Sequence, residues 1–215
     1  MPLFFDTNVP VGYIFKWDPW HSYADKAFAN GDSKYWSPTV VNETHKKFKE
    51  KKQDYSYFLS DVYRLLEKKK GFFKKDDLIS FALKSRSSLK NDKKIIIIEK
   101  IWESEGFNYD ENIDLILKSL NQIIMDFNSD VYLRKNQFQS NMILHHRQKN
   151  YPKLKDKLEK KIHHPDYDIV LDAHDLCSIH SDLEFITSDY IEEKIEFIKS
   201  ETDISKITDL RKFIT

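Results

Sequence analysis

Two short stretches near opposite ends of the chain are built alike, and together they constrain the fold more than anything else in it. Leu3-Phe4-Phe5 runs into Asp6-Thr7-Asn8, and Leu183-Glu184-Phe185-Ile186 runs into Thr187-Ser188-Asp189. Apolar runs this brief read as buried strands. Each ends in hydroxyls and a carboxylate, residue types that also favour turns. The repetition decides for strands: two members of one sheet, each delivering an aspartate to its carboxyl end. In open α/β sheets ligands bind at that edge. A carboxylate flanked by Thr7 and Asn8 suits a hard cation that takes oxygen ligands.

The rest of the chain must be mostly helix. Only 4 Gly and 6 Pro occur in 215 residues, which leaves little material for tight turns. With 40% hydrophobic and 33% charged residues, the chain is globular rather than disordered. Cys177 is the one cysteine, so no internal disulfide forms; a reducing, cytoplasmic location is expected. No run approaches the roughly 18 apolar residues of a membrane span, and Asp6 comes too early for a secretory signal peptide.

Formal net charge is zero, which excludes a basic field over the whole protein, but the charge is uneven. Residues 44–75 carry eleven basic and four acidic side chains, and residues 145–164 carry seven and two. Residues 165–203 reverse this, with twelve acidic and two basic. One part of the chain suits cations and another suits polyanions.

In chain order, His21 to Ala29 has helical spacing, ended by Asn30-Gly31-Asp32, and Lys34-Tyr35-Trp36 reads as a second strand. Ser37-Pro38 is a helix start, with Ser as N-cap and Pro at the first helical position. That helix carries Glu43 about a turn and a half in, and continues with a basic face through Lys46, Lys47, Lys51 and Lys52. Helical periods recur over Tyr55–Leu66, from Asp76 to Leu83 and over Asp110–Phe127, continue from Val131 to His146, and return over Lys153–Ile162; Ile95–Ile98 is β-branched as in a strand, while Asp92 as a cap and the spacing of Ile98 and Trp102 favour a helix. Pro165 opens a helix holding Asp168 and Asp172, four apart on one face, where like charges repel unless a cation relieves them. Tyr190–Glu196 reads as a short helix, Phe197-Ile198 as an edge strand, and Ile204–Ile214 as a terminal helix. Tyr13, Trp17, Trp20 and Trp36 are expected in the core rather than as stacking platforms.

Parallel strands with helical crossovers bring Asp6, Glu43, Asp168 or Asp172, and Asp189 to one edge. Four carboxylates there call for Mg2+ or Mn2+. That donor set is a design for metal-assisted phosphodiester hydrolysis.

The order of these pieces resembles the PIN domain nuclease family. Phe5-Asp6-Thr7-Asn8 is similar to its opening aspartate motif, and Ser37-Pro38-Thr39-Val40-Val41-Asn42-Glu43 to its helix with a Glu. Asp172-Ala173-His174-Asp175-Leu176 resembles its aspartate-alanine helix, and Phe185-Ile186-Thr187-Ser188-Asp189 its final threonine-x-aspartate. The resemblance covers residues 1 to about 48 and 165 to about 200. It implies an α/β fold, a PIN-like three-layer α/β/α sandwich with a short central parallel sheet. It also implies a single-strand-specific ribonuclease using Mg2+ or Mn2+, with Asp6, Glu43, Asp172 and Asp189 catalytic and Asp168 as a further metal ligand. Thr7, Asn8, Thr187 and Ser188 would support them. The division expected is a nuclease core of residues 1–48 and 163–215 around a large helical insertion, 49–162. The stretch between Glu43 and Asp172 is far longer than in the family's VapC-type toxins, which points away from a toxin role. Lys46, Lys47, Lys51 and Lys52 are the expected grip on RNA. A protein inhibitor or a homodimer partner would be further partners, and no membrane.

Two other readings stand beside this one. His163, His164, His174, Cys177 and His180 crowd a short span that would suit zinc, though in no familiar spacing. A catalytically inactive PIN-like module binding nucleic acid or protein would keep the fold without the chemistry.

Overall fold

The computed structural model describes residues 1–30, 33–190 and 192–213. Its elements begin β1 (Leu3–Phe5), α1 (Asn8–Ile14), α2 (His21–Ala29), β2 (Lys34–Trp36) and α3 (Pro38–Leu66). They continue β3 (Phe72–Phe73), α4 (Lys75–Leu83), α5 (Asn91–Ser104), β4 (Glu111–Asn112) and α6 (Ile113–Ser140). They close with β5 (Ile143–Leu144), α7 (Pro152–Leu158), α8 (Asp166–Cys177), β6 (Glu184–Thr187), α9 (Glu192–Glu201), β7 (Lys206–Asp209) and a 3-10 turn, Leu210–Lys212. The fold is α/β and helix-dominated, 61% helical, as the scarcity of Gly and Pro requires. Among the described residues no helix is long and apolar enough to cross a membrane.

The chain divides into two units. The first comprises Met1–Lys16, Trp20–Lys47 and Lys135–Thr215, and the second Trp17–Pro19 and Phe48–Arg134. Residues 135–162 fall in the first unit, where β5 pairs with β2.

The first unit is built on a parallel sheet of order β5-β2-β1-β6-β7. Strand β1 is central, with Phe4 opposite both Tyr35 of β2 and Phe185 of β6. Leu3, Phe4 and Phe5 are accordingly all buried, which is why the strand is a continuous apolar run rather than an alternating one. The chain builds outward from β1 through β2 to β5, then returns to the other side of β1 for β6 and β7. The order therefore reverses between β1 and β6, and Asp6 and Asp189 follow those two strands. This is the switch point at which open α/β sheets form their ligand crevice.

The Ser37 hydroxyl accepts the Val40 N–H at 3.4 Å, and Pro38 opens α3 as expected. Helix α1 leaves the end of β1 and packs closely on α2; a Cβ at Gly12 would meet Trp20 Cβ at 3.0 Å. Tyr13, Trp17 and Trp36 are buried and Trp20 is half-buried, so these rings are packing groups. Ile97 and Ile98 are buried in α5 of the second unit, whose core also stacks Trp17 on Phe127 at 5.5 Å.

Three local expectations fail. Phe197 and Ile198 lie inside α9 rather than in an edge strand. Ile204, Ile207 and Leu210 are three apart, as in a helix, yet the chain between them is β7, paired with β6 from Glu184↔Lys206 to Thr187↔Asp209. The buried Glu184 carboxylate secures that pairing by accepting from Lys206 Nζ at 2.9 Å and from the Thr208 hydroxyl. Residues 141–146 are not helical, since Ile143–Leu144 is strand β5. Gly31, Asp32 and Ile214, which figure in the expected turn and terminal helix, lie outside the described residues.

Candidate active site: carboxylates at the switch point

Asp6 is 4% exposed at the end of β1. Its Oδ1 accepts the Thr7 N–H at 2.6 Å, and its Oδ2 accepts the Thr187 hydroxyl at 2.7 Å. Thr187 Oγ1 in turn accepts the Asp189 N–H at 3.2 Å. One hydroxyl thus ties the ends of β1 and β6 together. On the other side, the Thr7 hydroxyl donates to Glu43 Oε2 at 2.6 Å, holding the α3 carboxylate to the same edge. Asn8 is the first residue of α1, and the Ser188 hydroxyl reaches Asp189 Oδ1 at 3.5 Å.

Electrostatics shows what gathers here. Burial, then the charge of Asp189, push the Asp6 carboxyl up to about 7; the hydrogen bonds from Thr187 and Thr7 oppose this, and Asp166 adds to it. Asp166, the first residue of α8, is itself pushed up by burial and by Asp189 and Glu43. The buried Tyr190 hydroxyl is raised by burial and then by Asp6, Asp166, Asp189 and Glu43 together. These four carboxylates therefore share one field. Lys47 is drawn into it, with Nζ 3.0 Å from Glu43 Oε1. Burial works against its ammonium, yet Glu43, Asp6 and Asp189 outweigh burial and hold its pKa above that of an ordinary lysine.

Asp168 and Asp172 have a partner of their own. Arg147, from the segment after β5, takes both: Nε donates to Asp172 Oδ1 at 2.7 Å and a terminal nitrogen to Asp168 Oδ1 at 3.1 Å. The helix explains the separation. At 3.6 residues per turn, Asp166 lies roughly 200° around α8 from Asp168, while Asp168 and Asp172 fall on one face. The Arg147 guanidinium relieves their mutual repulsion and leaves Asp172 Oδ2 buried with no hydrogen-bond partner. Arg147→Ala should leave the buried Asp172 unpaired and lower stability by about 2 kcal/mol, less than the 3–5 of a fully buried pair because the guanidinium is partly exposed. Urea unfolding measures this, and Arg147→Lys should recover only part of it, since an ammonium lacks the planar fork.

No protein-family model, curated protein or solved structure matches this chain. The site is therefore weighed on its own chemistry.

The donors are all oxygen, and the field is negative enough to have drawn in the chain's own ammonium. In type and charge they fit Mg2+ or Mn2+. Among the described residues no three or more His, Cys, Asp or Glu are grouped closely enough to hold a metal ion by themselves. That is compatible with Mg2+, which keeps several waters and is commonly held by one or two carboxylates. The histidines that suggested zinc are engaged separately. His180 Nε2 lies 2.9 Å from the Tyr35 hydroxyl, and His174 Nδ1 accepts the Asp203 N–H at 3.0 Å. Of the lysines expected to grip RNA, Lys46 is exposed and Lys47 is paired with Glu43. Lys51 donates to Asp18, and Lys52 Nζ lies 4.6 Å from the Tyr132 ring centre.

Sequence reasoning passed over Asp166, Lys47 as an internal counter-ion, and Arg147. The signal for Asp166 was available: it directly follows Pro165, and the acid at a helix's first position faces the sheet edge. The Asp172-Ala173 pair drew attention away from it.

Proposed function

We propose that this chain is a metal-dependent nuclease of the PIN type. One or two of the carboxylates of Asp6, Glu43, Asp166 and Asp189 would hold Mg2+ or Mn2+ directly, and the others through its waters, at the carboxyl edge of a PIN-like three-layer core. The observation that carries this reading is the Asp6 carboxyl, buried at the switch point, joined through Thr187 to Asp189 and through Thr7 to Glu43, where burial, Asp189 and Asp166 push it up to about 7. A protein keeps such an unfavourable group where a bound cation repays it. The bound cation supplies charge stabilisation at the phosphoryl group during hydrolysis of a phosphodiester. The chain's own groups do the positioning. Thr7 and Thr187 fix the carboxylates of Glu43 and Asp6, and Lys47 supplies one positive charge that offsets their repulsion of a phosphate. Single-stranded RNA is the substrate that the resemblance implies.

A second reading, an inactive PIN-like module, is favoured by the ion pair that already neutralises Glu43. A cleavage assay separates the two. Single- and double-stranded RNA and DNA are incubated with Mg2+, with Mn2+ and with chelator, alongside Asp6→Asn. The nuclease reading expects cleavage of single-stranded RNA with metal, none in chelator, and none by Asp6→Asn. Binding without product under every metal would establish the second reading instead.

A further inference from the structure

The β3–β4 pair sets two segments of the second unit side by side, Phe72 opposite Asn112 and Phe73 opposite Glu111. Residues 68–75 read Lys-Lys-Lys-Gly-Phe-Phe-Lys-Lys, five lysines and no acid. Lys68, Lys69 and Lys70 are exposed. Gly71 takes a φ of 97°, open to glycine at little cost, and turns the chain from helix into strand. Phe72 after it is 70% exposed.

Across the pair, Tyr109 is 77% exposed. Its loop is nevertheless pinned. The Glu111 carboxylate accepts from the Asn108 N–H and side-chain amide, each at 3.2 Å, and from the Asn112 N–H at 3.0 Å. Lys74 Nζ lies 4.7 Å from the Tyr109 ring centre and donates to its hydroxyl at 3.2 Å. Lys74, Lys75, Asp76, Trp102 and Tyr109 line an open cleft of about 280 Å3. That is close to the lower bound of ligand pockets, roughly 300 Å3, and admits one flat group rather than a large ligand. Trp102 is held edge-on by Phe107 at 5.2 Å.

We propose that this cleft is a binding site for single-stranded nucleic acid, with a base stacked on Tyr109, its neighbouring phosphates at Lys74 and Lys75, and the strand running on along β3 to Lys68, Lys69 and Lys70. A fixed, exposed ring beside two cations, with a lysine triplet further along the same strand, is the combination that single strands recognise, because every base has a stacking face and every link a charge. An acidic peptide offers the charge without the flat ring. An anionic membrane offers the charge but no flat ring to stack on Tyr109. The inference goes beyond the nuclease reading and does not lean on it.

The test is fluorescence anisotropy of the full chain with labelled oligo(U), oligo(dT) and a duplex, all in chelator so that cleavage plays no part. Both single strands should bind more tightly than the duplex. Tyr109→Ala should weaken them about 10-fold without changing the salt slope, and Tyr109→Phe should bind as wild type. Replacing Lys68, Lys69 and Lys70 together by Gln should flatten the log–log salt slope by about 2, at about 0.7 per phosphate contact. All are exposed positions, and thermal melts confirm the fold. Tyr109→Ala binding like wild type overturns the proposal, as does a preference of the wild type for phosphatidylserine vesicles or polyglutamate over either oligonucleotide. An inert Asp6 site would leave this result standing, and its failure would leave the carboxylate site untouched.

Discussion

Asp166→Asn should reduce metal-dependent cleavage by about 100-fold or more, while Asp172→Asn should leave it within a few-fold and lower stability instead. Changes to the groups that merely orient metal ligands typically cost 10–100-fold, and loss of a ligand should cost at least as much. Asp166 belongs to the field that raises Asp6 and Tyr190. Asp172 is 3% exposed and its Oδ1 is held by Arg147 Nε at 2.7 Å, so an amide there weakens that ion pair. Its cost is about 1–3 kcal/mol in unfolding free energy. Rates on a single-stranded oligonucleotide in Mg2+ and Mn2+, set beside urea unfolding of each variant, separate the two roles. The opposite order, with Asp172→Asn inactive and Asp166→Asn active, would return the third acid to the place its alanine neighbour suggested.

What the sequence revealed and what it hid follow from the range of the forces involved. Strand β1, the second strand Lys34–Trp36 and the cap at Ser37 depend on local pattern and could be read directly. Asp6, Glu43 and Asp189 are tied to such elements, and the hydroxyls of Thr7 and Thr187 join them as neighbours of the same strand ends. Two-residue strand β5 carries no period of its own; it exists because β2 presents an open edge to Ile143 and Leu144. Arg147 follows it and reaches Asp168 and Asp172 from about a score of residues away in sequence, a distance no local pattern encodes. Strand β7 misled for a related reason. Its three-residue apolar spacing mimics a helix, and the buried Glu184 that fixes it lies on another strand. The grip on polyanions was sought where lysines are densest on a helix, but Lys47 and Lys51 meet acids there. The lysines that stay exposed, Lys68 to Lys70, follow that helix's end.

Asp6 should contribute a loss of stability to the metal-free protein as pH rises from about 4 to about 7, and Mg2+ should restore it only toward the upper end of that range. The sign follows from Asp6. Its carboxyl sits at about 7 in the folded chain against 3.8 ordinarily, chiefly through burial and then through Asp189. Between those values the native state holds a proton that the unfolded chain has lost, so stability falls as pH rises. A shift of that size corresponds to a few kcal/mol. Asp6→Asn removes the titrating group, and its stability profile should lack this component. In chelator at pH 8 the variant should be more stable than the wild type, because an amide at this position carries no charge to bury. A cation that binds the ionised carboxylate should then stabilise the wild type by about 2.7 kcal/mol at a hundred times its dissociation constant, and should leave Asp6→Asn almost unmoved. At pH 5 the same Mg2+ should do little to either protein, since Asp6 is protonated and offers no charge. Urea unfolding of both proteins at pH 5, 6, 7 and 8, with chelator and with Mg2+, gives the full comparison. Parallel profiles for the two proteins would show that Asp6 is neither the strained group nor a centre of cation binding.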